Sequence, residues 1–198
     1  MQRKCELNLL VGINGSGKTT FITNDILKVR NKNLIITPDP AEWKNFPTIK
    51  TAQEIRTFTG TARIIHESIE TLETITQNYS GGNLILDDCM EYLTENTPHV
   101  MRYIYIRRRQ FGIDCYMVSH GLKQLPPKAF SYASWLILFH SVENFTGRKN
   151  ELLPKTFERI IEAQTNIAQI VESGKDPYHK EIILLDKHIR GTYVAQNN

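Results

Sequence analysis

Eight consecutive residues near the start of the chain, residues 12–19, read Gly-Ile-Asn-Gly-Ser-Gly-Lys-Thr. The spacing G-x-x-x-x-G-K-T is typical of a loop that wraps around phosphate groups, because glycines let the backbone approach the oxygens without a Cβ in the way. We expect Lys18 to contact the β- and γ-phosphates and the hydroxyl of Thr19 to bind Mg²⁺. The predicted nucleotide-binding residues are Gly12, Asn14, Gly15, Ser16, Gly17, Lys18, Thr19 and Thr20.

The residues on either side of this loop favour a nucleotide site over a glycine-rich turn. An apolar stretch at residues 7–11 predicts a strand that leads into the loop, and a helical pattern follows it. The first amides of such a helix point at a bound anion, and the helix dipole stabilises its negative charge. No motif marks the base preference of the site; the absence of an Asn-Lys-x-Asp motif for reading guanine favours ATP, which we expect to bind with Mg²⁺.

Two consecutive acids end a second apolar stretch, Asn-Leu-Ile-Leu-Asp-Asp at residues 83–88. In open α/β sheets, ligands bind outside the carboxyl ends of the strands, so we expect this strand to lie beside the loop with its acids facing the nucleotide. Asp87 would then hold Mg²⁺, directly or indirectly, and Asp88 would polarise the attacking water as general base. Glu91 is a second candidate for the base. The alternative is an Asx turn without catalytic function.

Short apolar strands alternate with helical patterns along the chain, which indicates a parallel sheet covered by helices on both faces. The predicted strands are 7–11, 34–37, 62–66, 83–87, 113–119 and 135–140, and the predicted helices are 17–31, 67–78, 98–111 and 154–173. The Pro126-Pro127 pair predicts a loop, and Gly174 with Pro177 ends the last helix. Residues 181–198 are expected to form a final strand or a hairpin.

The composition is that of a globular chain. With 198 residues, 40% of them hydrophobic, we expect one domain over 1–198, with a core at about 5–152 and a C-terminal helix and tail at about 153–198. No apolar run reaches the roughly 18–20 residues that cross a bilayer, and the three cysteines lack zinc-site spacing. These features predict a cytoplasmic location. A net charge of +3 permits a nucleic-acid partner without requiring one.

Three further segments resemble the FtsK–HerA superfamily of hexameric DNA-pumping ATPases. Residues 36–42, Ile-Thr-Pro-Asp-Pro-Ala-Glu, are similar to the strand ending in Asp-Pro that follows the phosphate-loop helix there. Residues 107–114 and then 117–120, Met-Val-Ser-His, are similar to a helix, a Gly-Ile turn and a sensor strand. Residues 135–148 are similar to the strand and loop that carry an arginine to the neighbouring subunit. The resemblance covers roughly 5–152 and is greatest for the genome-packaging ATPases of tailless, membrane-containing viruses.

The resemblance implies a three-layer α/β sandwich of the ASCE, or RecA-like, class of P-loop NTPases, with a mostly parallel central sheet. It places His120 beside the γ-phosphate, where the superfamily usually has Gln, and makes Arg148 a catalytic residue of the neighbouring subunit's site. It further implies a homo-oligomeric ring, a hexamer or a pentamer, that hydrolyses ATP to pump double-stranded DNA into a viral capsid. The implied partners are this DNA and a capsid vertex or portal protein, in the host cytoplasm or on the virion.

A run of cations, Arg107, Arg108 and Arg109, has two interpretations. The first is a solvated helix face near a helix C-terminus, where the dipole stabilises positive charge. The second is a channel surface that contacts DNA phosphates, which gives salt-dependent affinity without sequence preference. Further cations of this cluster are Arg102, Lys123 and Lys128.

Two other functions fit the same phosphate loop. A small nucleoside or nucleotide kinase has a similar size, and the arginine run would then be a lid over the transferred phosphate. A kinase needs no activated water, however, so the second acid after the strand favours hydrolysis. A switch or assembly factor that uses ATP to change partners would be expected to lack the arginine that acts between subunits.

Overall fold

The computed structural model describes residues 5–93, 98–143 and 145–185, apart from the side chains of Pro98, Arg148 and Glu151. The described strands are β1 (Leu7–Val11), β2 (Lys32–Thr37), β3 (Gly60–Ile65), β4 (Gly82–Leu86), β5 (Ile113–Ser119), β6 (Trp135–Phe139) and β7 (Lys180–Leu184). They form one sheet in the order β3-β2-β4-β5-β1-β6-β7. Neighbouring strands are parallel except β6 and β7, which confirms the predicted mostly parallel sheet.

Helices connect the strands on both sides of the sheet. The described α-helices are α1 (Lys18–Phe21), α2 (Ala52–Thr57), α3 (Ile69–Asn78), α4 (Pro98–Tyr105), α5 (Pro127–Tyr132) and α6 (Pro154–Glu172). A π-helical segment (Ile22–Ile26) continues α1, and 3₁₀ turns lie at Cys89–Glu91, Arg107–Arg109, Leu122–Gln124 and Phe145–Glu151. Each predicted strand is present with its limits shifted by at most two residues, and the predicted final strand is β7. The rest of that predicted tail, 186–198, lies outside the described residues.

Apolar side chains alternate between the two faces of the sheet, as the two-residue period of a strand requires. The cluster on the α1 face contains Leu10, Ile22, Ile26, Ile35, Trp43, Ile85, Tyr116, Val118, Ile137 and Phe139. The larger cluster, on the other face, includes buried residues of α2 to α6. Because both faces are covered, β1, β4 and β5 are buried along their whole length, which explains their largely apolar sequences.

The helix after the phosphate loop is shorter than predicted. The α-helical hydrogen bonds of α1 give way to the π-helical segment after one turn. The buried side-chain amides of Asn83 and Asn33 donate to the carbonyls of Ile26 and Leu27, at 3.0 Å each. These bonds satisfy carbonyls at the helix end that would otherwise lack partners. The chain therefore turns into β2 earlier than its periodicity predicts.

Two helices arise where the sequence analysis placed none. The start of α2 is a capping box, in which the Thr51 hydroxyl accepts the Glu54 N–H and the Glu54 carboxylate accepts the Thr51 N–H. The pair predicted as a loop contains the first residue of α5, Pro127. Proline is favoured at a first helical position, because its missing N–H would have no intrahelical partner there. Short helices such as these depend on their first residues more than on an apolar period.

Cys5, Cys89 and Cys115 are buried free thiols. Among the described helices, none combines the length and the apolar character needed to span a membrane.

The strand order decides which strand ends meet at the phosphate loop. We expected the strand with the two acids to lie directly beside the loop, and this was wrong, because β5 lies between β4 and β1. The residues that follow β1, β5 and β4 are Gly12, His120 and Asp87, in that spatial order. The end of β5 therefore separates the acids from the loop and brings His120 between them.

Candidate active site

The phosphate loop joins β1 to α1 and is anchored to the ends of two neighbouring strands. The N–H of Gly12 donates to the carbonyl of Ser119 (3.3 Å), and the N–H of Ile13 donates to that of His140 (2.9 Å). A Cβ on Gly12 would lie 2.6 Å from the Cβ of Phe139, so only glycine fits between the strands here. The ends of β5 and β6 thus hold the loop in place.

The start of α1 leaves its amides available to an anion. Gly17 is the N-cap and has φ +99°, a left-handed conformation that favours glycine. Among the described side chains, none caps this helix start. The first N–H groups of a helix have no intrahelical partner, and the helix dipole adds to their attraction for negative charge. Of the other predicted nucleotide-binding residues, Asn14, Gly15, Thr19 and Thr20 are exposed and Ser16 is buried.

Lys18 folds back over the loop. Its ammonium donates to the carbonyl of Gly12 at 2.5 Å and to the next carbonyl of the loop at 3.1 Å, and it lies 3.5 Å from Nδ1 of His120. Burial lowers the pKa of Lys18, and the carboxylates of Asp88 and Asp87 oppose this effect. Phosphate oxygens are charged acceptors and bind an ammonium more strongly than neutral carbonyls do. The position of Lys18 therefore suits a phosphate bound in the loop.

Asp88 pairs with His120. Its Oδ1 lies 2.7 Å from Nε2 of the imidazole. Because Nδ1 of the same ring faces the Lys18 ammonium, which can only donate, the hydrogen of the neutral ring lies on Nε2 and is donated to Asp88. Asp88 has a left-handed backbone (φ +45°, ψ +47°), which aspartate tolerates better than most residues. Lys18, His120 and Asp88 thus form a continuous chain of contacts across the ends of three strands.

Asp87 is mostly buried and receives a hydrogen bond from Trp43, whose Nε1 lies 2.6 Å from Oδ2. Burial raises the pKa of Asp87 to about 6; the Trp43 bond opposes this rise, and the charges of Asp88 and Glu42 add to it. A nearby cation would stabilise the ionised form of this carboxylate, which burial disfavours. A carboxylate and the Thr19 hydroxyl are oxygen donors of the kind that Mg²⁺ accepts. The residues present therefore fit this ion.

Solved structures with a similar fold exist, although no family model and no curated protein sequence matches the chain. The genome packaging NTPase B204 from Sulfolobus turreted icosahedral virus 2, in complex with sulfate, has a TM-score of 0.68 and 16% identity over 93% of each chain. In complex with AMPPCP, the same protein has a TM-score of 0.66 and 20% identity over 91% of this chain and 92% of its own. B204, the DNA-packaging ATPase from Sulfolobus turreted icosahedral virus, has a TM-score of 0.62 and 15% identity, covering 89% and 96%.

The fold is that of a P-loop NTPase. This confirms the predicted α/β class and the mostly parallel central sheet. At these identities the likeness is one of fold, so the roles of single residues must rest on their geometry in this chain. The geometry brings together four of the predicted residues, since Lys18 contacts His120, His120 contacts Asp88, and Asp87 precedes Asp88 at the end of β4.

The other predicted catalytic residues have fewer described contacts. Glu91 is exposed on the 3₁₀ turn that follows Asp88, and it is Asp88 that contacts His120. Arg148 belongs to the 3₁₀ turn Phe145–Glu151, and its side chain lies outside the described residues.

The predicted arginine run does not form one surface. Arg107 and Arg109 are exposed on a 3₁₀ turn, but Arg108 is only 1% exposed. Its guanidinium donates to the carbonyls of Ile104 and Tyr105 at the end of α4, and burial lowers its pKa. The prediction that Arg108 contacts DNA is therefore wrong. Its side chain satisfies carbonyls of the last helical turn, where α4 ends within the predicted helix 98–111.

We expect Arg108→Met to lower the free energy of unfolding by about 1–3 kcal/mol, because the helix carbonyls lose their charged donor while most of the side-chain volume is kept. Arg107→Met, on the exposed part of the same turn, is expected to change it by less than about 0.5 kcal/mol. Urea denaturation of both variants measures the difference. Equal stabilities would show that the buried guanidinium contributes nothing to the end of α4.

Three other cations of the cluster lie on a separate surface. Arg102, Lys123 and Lys128 line a groove of about 840 Å³ together with the side chains of Tyr105 and Tyr132. These two tyrosine rings stack at a centroid distance of 4.9 Å. The phosphate loop contributes no residue to the groove. The cations of the predicted cluster are thus divided between this groove, the exposed 3₁₀ turn and one buried position.

Proposed function

We propose that this chain is an Mg²⁺-dependent ATPase. The observation that carries this proposal is the chain of contacts from Lys18 through His120 to Asp88, which links a phosphate-loop lysine to a carboxylate. A carboxylate held at this place suits the activation of water, which hydrolysis needs and phosphoryl transfer to a bound acceptor does not. The kinase alternative would need a lid of exposed arginines, and the burial of Arg108 weakens the case for one.

In the proposed reaction, the amides of the loop and α1 hold the phosphates and the Lys18 ammonium neutralises charge on the β- and γ-groups. Asp88 accepts a proton from a water molecule as the water oxygen attacks the γ-phosphorus. The bond from this phosphorus to the oxygen that bridges the β- and γ-phosphates breaks in line with the attack, and ADP leaves. His120 keeps the Asp88 carboxylate in position by donating Nε2–H to it. Thr19 and Asp87 would hold Mg²⁺, which supplies positive charge to the phosphate oxygens when it is bound.

We further propose that hydrolysis drives double-stranded DNA into a viral capsid through a homo-oligomeric ring. The similarity in fold to the genome packaging NTPase over 93% of both chains supports this proposal. The exposed Arg107 and Arg109 would contact the phosphate backbone, which gives affinity without base preference. Arg148 would complete the site of the neighbouring subunit, where an arginine stabilises the charge of the transition state.

Steady-state phosphate release tests this function. We expect turnover of ATP with Mg²⁺ that rises more than linearly with protein concentration, as a site between subunits requires, and rises further with double-stranded DNA. A rate per protein chain that changes neither with protein concentration nor with added DNA would contradict the proposed ring and the proposed action on DNA. Phosphate transfer to an added nucleoside in place of water would favour the kinase.

The contact between His120 and Asp88 predicts a measurable effect on rate. We expect His120→Leu to lower kcat by roughly 10–100-fold with little change in KM, since a carboxylate that loses its donor is free to leave the productive geometry. His120→Gln retains an N–H donor and should recover part of the loss. Steady-state kinetics of the two variants gives the comparison. Equal losses in both would show that the donated hydrogen bond is not what His120 contributes.

A further inference from the structure

The turn between α6 and β7 lies at the same edge of the sheet as the phosphate loop. Because β7 runs antiparallel to β6, its first residue, Lys180, pairs with Phe139 at the carboxyl end of β6. Tyr178 precedes this strand and is 61% exposed. Its Cδ1 lies only 3.1 Å from the position that a Cβ on Gly17 would occupy. An exposed aromatic ring therefore lies against the N-cap of α1, where the phosphates are expected to bind.

This turn has bonds that hold Tyr178 in place. The Asp176 carboxylate accepts the N–H of Tyr178 at 3.0 Å and lies 3.4 Å from Nδ1 of His179. The Asp176 carbonyl accepts the N–H of His179 at 3.3 Å, and Pro177 restricts the backbone between them. Asp176 and His179 thus fix the backbone that carries the ring.

A second contact attaches the turn to α1. The Lys180 ammonium lies 5.0 Å from the centroid of the Phe21 ring, and the N–H of Phe21 donates to the carbonyl of Gly17 at 2.9 Å. The two ends of this short segment, Tyr178 and Lys180, therefore both lie against the first turn of α1. The Tyr178 ring thus lies beside the phosphate loop while most of its surface is open to solvent.

We propose that Tyr178 is the platform on which the base of the bound nucleotide stacks. This inference rests on the proposed nucleotide-binding function and assigns the base to one side chain. If the phosphates bind to the loop amides, the sugar and the base must extend from the loop across the protein surface. Tyr178 offers an aromatic face on this surface, beside Gly17. An aromatic face binds the π-system of any base and does not read its hydrogen-bonding edge. The site should therefore accept ATP and GTP with similar affinity.

Calorimetric titration of ATP, GTP and inorganic tripolyphosphate tests this proposal, because tripolyphosphate has the phosphates without the base. For Tyr178→Ala we expect affinities for ATP and GTP that are roughly 5–100-fold weaker, from the usual contribution of base stacking, and an unchanged affinity for tripolyphosphate. Tyr178→Phe keeps the ring and should bind all three ligands like the wild type. Asp176→Ala, which releases the turn, should weaken ATP binding less than Tyr178→Ala does.

Several results would overturn the platform. Unchanged or tighter ATP binding by Tyr178→Ala would show that the ring does not support the base, or that it covers the site. An equal loss of tripolyphosphate binding would show that Tyr178 acts on the loop itself, and a strong preference of the wild type for one base would contradict stacking as the means of recognition. If the wild type binds none of the three ligands, the proposed function fails and the platform fails with it.

Discussion

Asp88→Asn is expected to lower the rate of phosphate release by roughly 10²–10⁴-fold, the usual contribution of a general base, and to leave ATP affinity nearly unchanged. Asparagine has the shape of aspartate and still offers an oxygen to the Nε2–H of His120, which lies 2.7 Å from Asp88 in this protein. The substitution therefore preserves the positions of His120 and Lys18. What it removes is the basic group that we propose takes a proton from water.

The measurement is single-turnover hydrolysis of ATP at saturating protein, combined with calorimetric ATP affinity. Glu91→Gln is the matched control, because Glu91 is an exposed acid three residues further along the same turn. We expect this control to hydrolyse ATP at close to the wild-type rate. A fast Asp88→Asn variant together with a slow Glu91→Gln variant would transfer the role of general base to Glu91.

The central sheet could be predicted because its strands are buried on both faces. The strands β1, β4 and β5 are largely apolar, although each contains a buried polar residue (Asn8, Asn83 and Asp114), and such runs between turn signals identify strands without any knowledge of the fold. The helix limits were less predictable, because side chains from elsewhere in the chain decide them. Asn83, in β4, bonds to Ile26 and helps to end the first helix, and that contact spans 57 positions of the sequence. The apolar periodicity of the helix sequence does not reveal this contact.

The candidate site could likewise be predicted only in part. The positions of the phosphate loop and of the two acids at strand ends could be predicted because the proposed chemistry requires certain residue types at a fixed spacing. Trp43 was missed, although it donates the hydrogen bond that Asp87 receives. Trp43 follows β2 in the sequence, and β2 lies next to β4, the strand that ends in the two acids. The sequence does not reveal that these two strands are neighbours, so the bond from Trp43 to Asp87 could not be predicted. Tyr178 was missed for a similar reason, since β7 brings it back to the loop from the far end of the chain.

Arg108 shows that a run of charged residues in a sequence does not have to form one charged surface. Three consecutive arginines suggest one basic surface, but in a 3₁₀ turn consecutive side chains point in directions about 120° apart. One of the three must then face the protein, and Arg108 does so by donating to the carbonyls at the end of α4. A surface for DNA can therefore use at most the outer two arginines of the run.

Asp87→Asn is expected to stabilise the folded protein and to abolish most of its activity. In the folded state burial raises the pKa of Asp87 from 3.8 to about 6. The folded protein therefore binds more protons than the unfolded chain between these pH values, and its stability falls as pH rises through this window. Above pH 6 the ionised carboxylate costs about 3 kcal/mol, from the usual conversion of a pKa difference into free energy. Asparagine carries no charge, keeps an acceptor for Trp43 and avoids this cost.

Urea denaturation at several pH values tests the stability effect. We expect Asp87→Asn to exceed the wild type by about 3 kcal/mol at pH 7.5, and the difference to shrink towards zero as pH falls from 6 to 4. Asp25→Asn is the control, because it removes one negative charge from an exposed position on the π-helical segment and none from the protein interior. A variant that is less stable than the wild type at pH 7.5 would show that the charge of Asp87 strengthens its bond to Trp43 by more than its burial costs.

The same variant tests the proposal that Asp87 holds Mg²⁺, separately from its effect on stability. ATP with Mg²⁺ should raise the unfolding free energy of the wild type further than ATP with EDTA does, because a ligand that binds only the folded state stabilises it. We expect Asp87→Asn to lose this difference and to hydrolyse ATP at least about 100-fold more slowly, as the removal of a group that supports transition-state charge predicts. If Mg²⁺ stabilises both proteins equally, Asp87 does not hold the ion, and its burial must then be explained by Trp43 alone. If both effects are found, Asp87 weakens the fold when ionised and is yet needed for turnover, which is what selection for catalysis at the expense of stability produces.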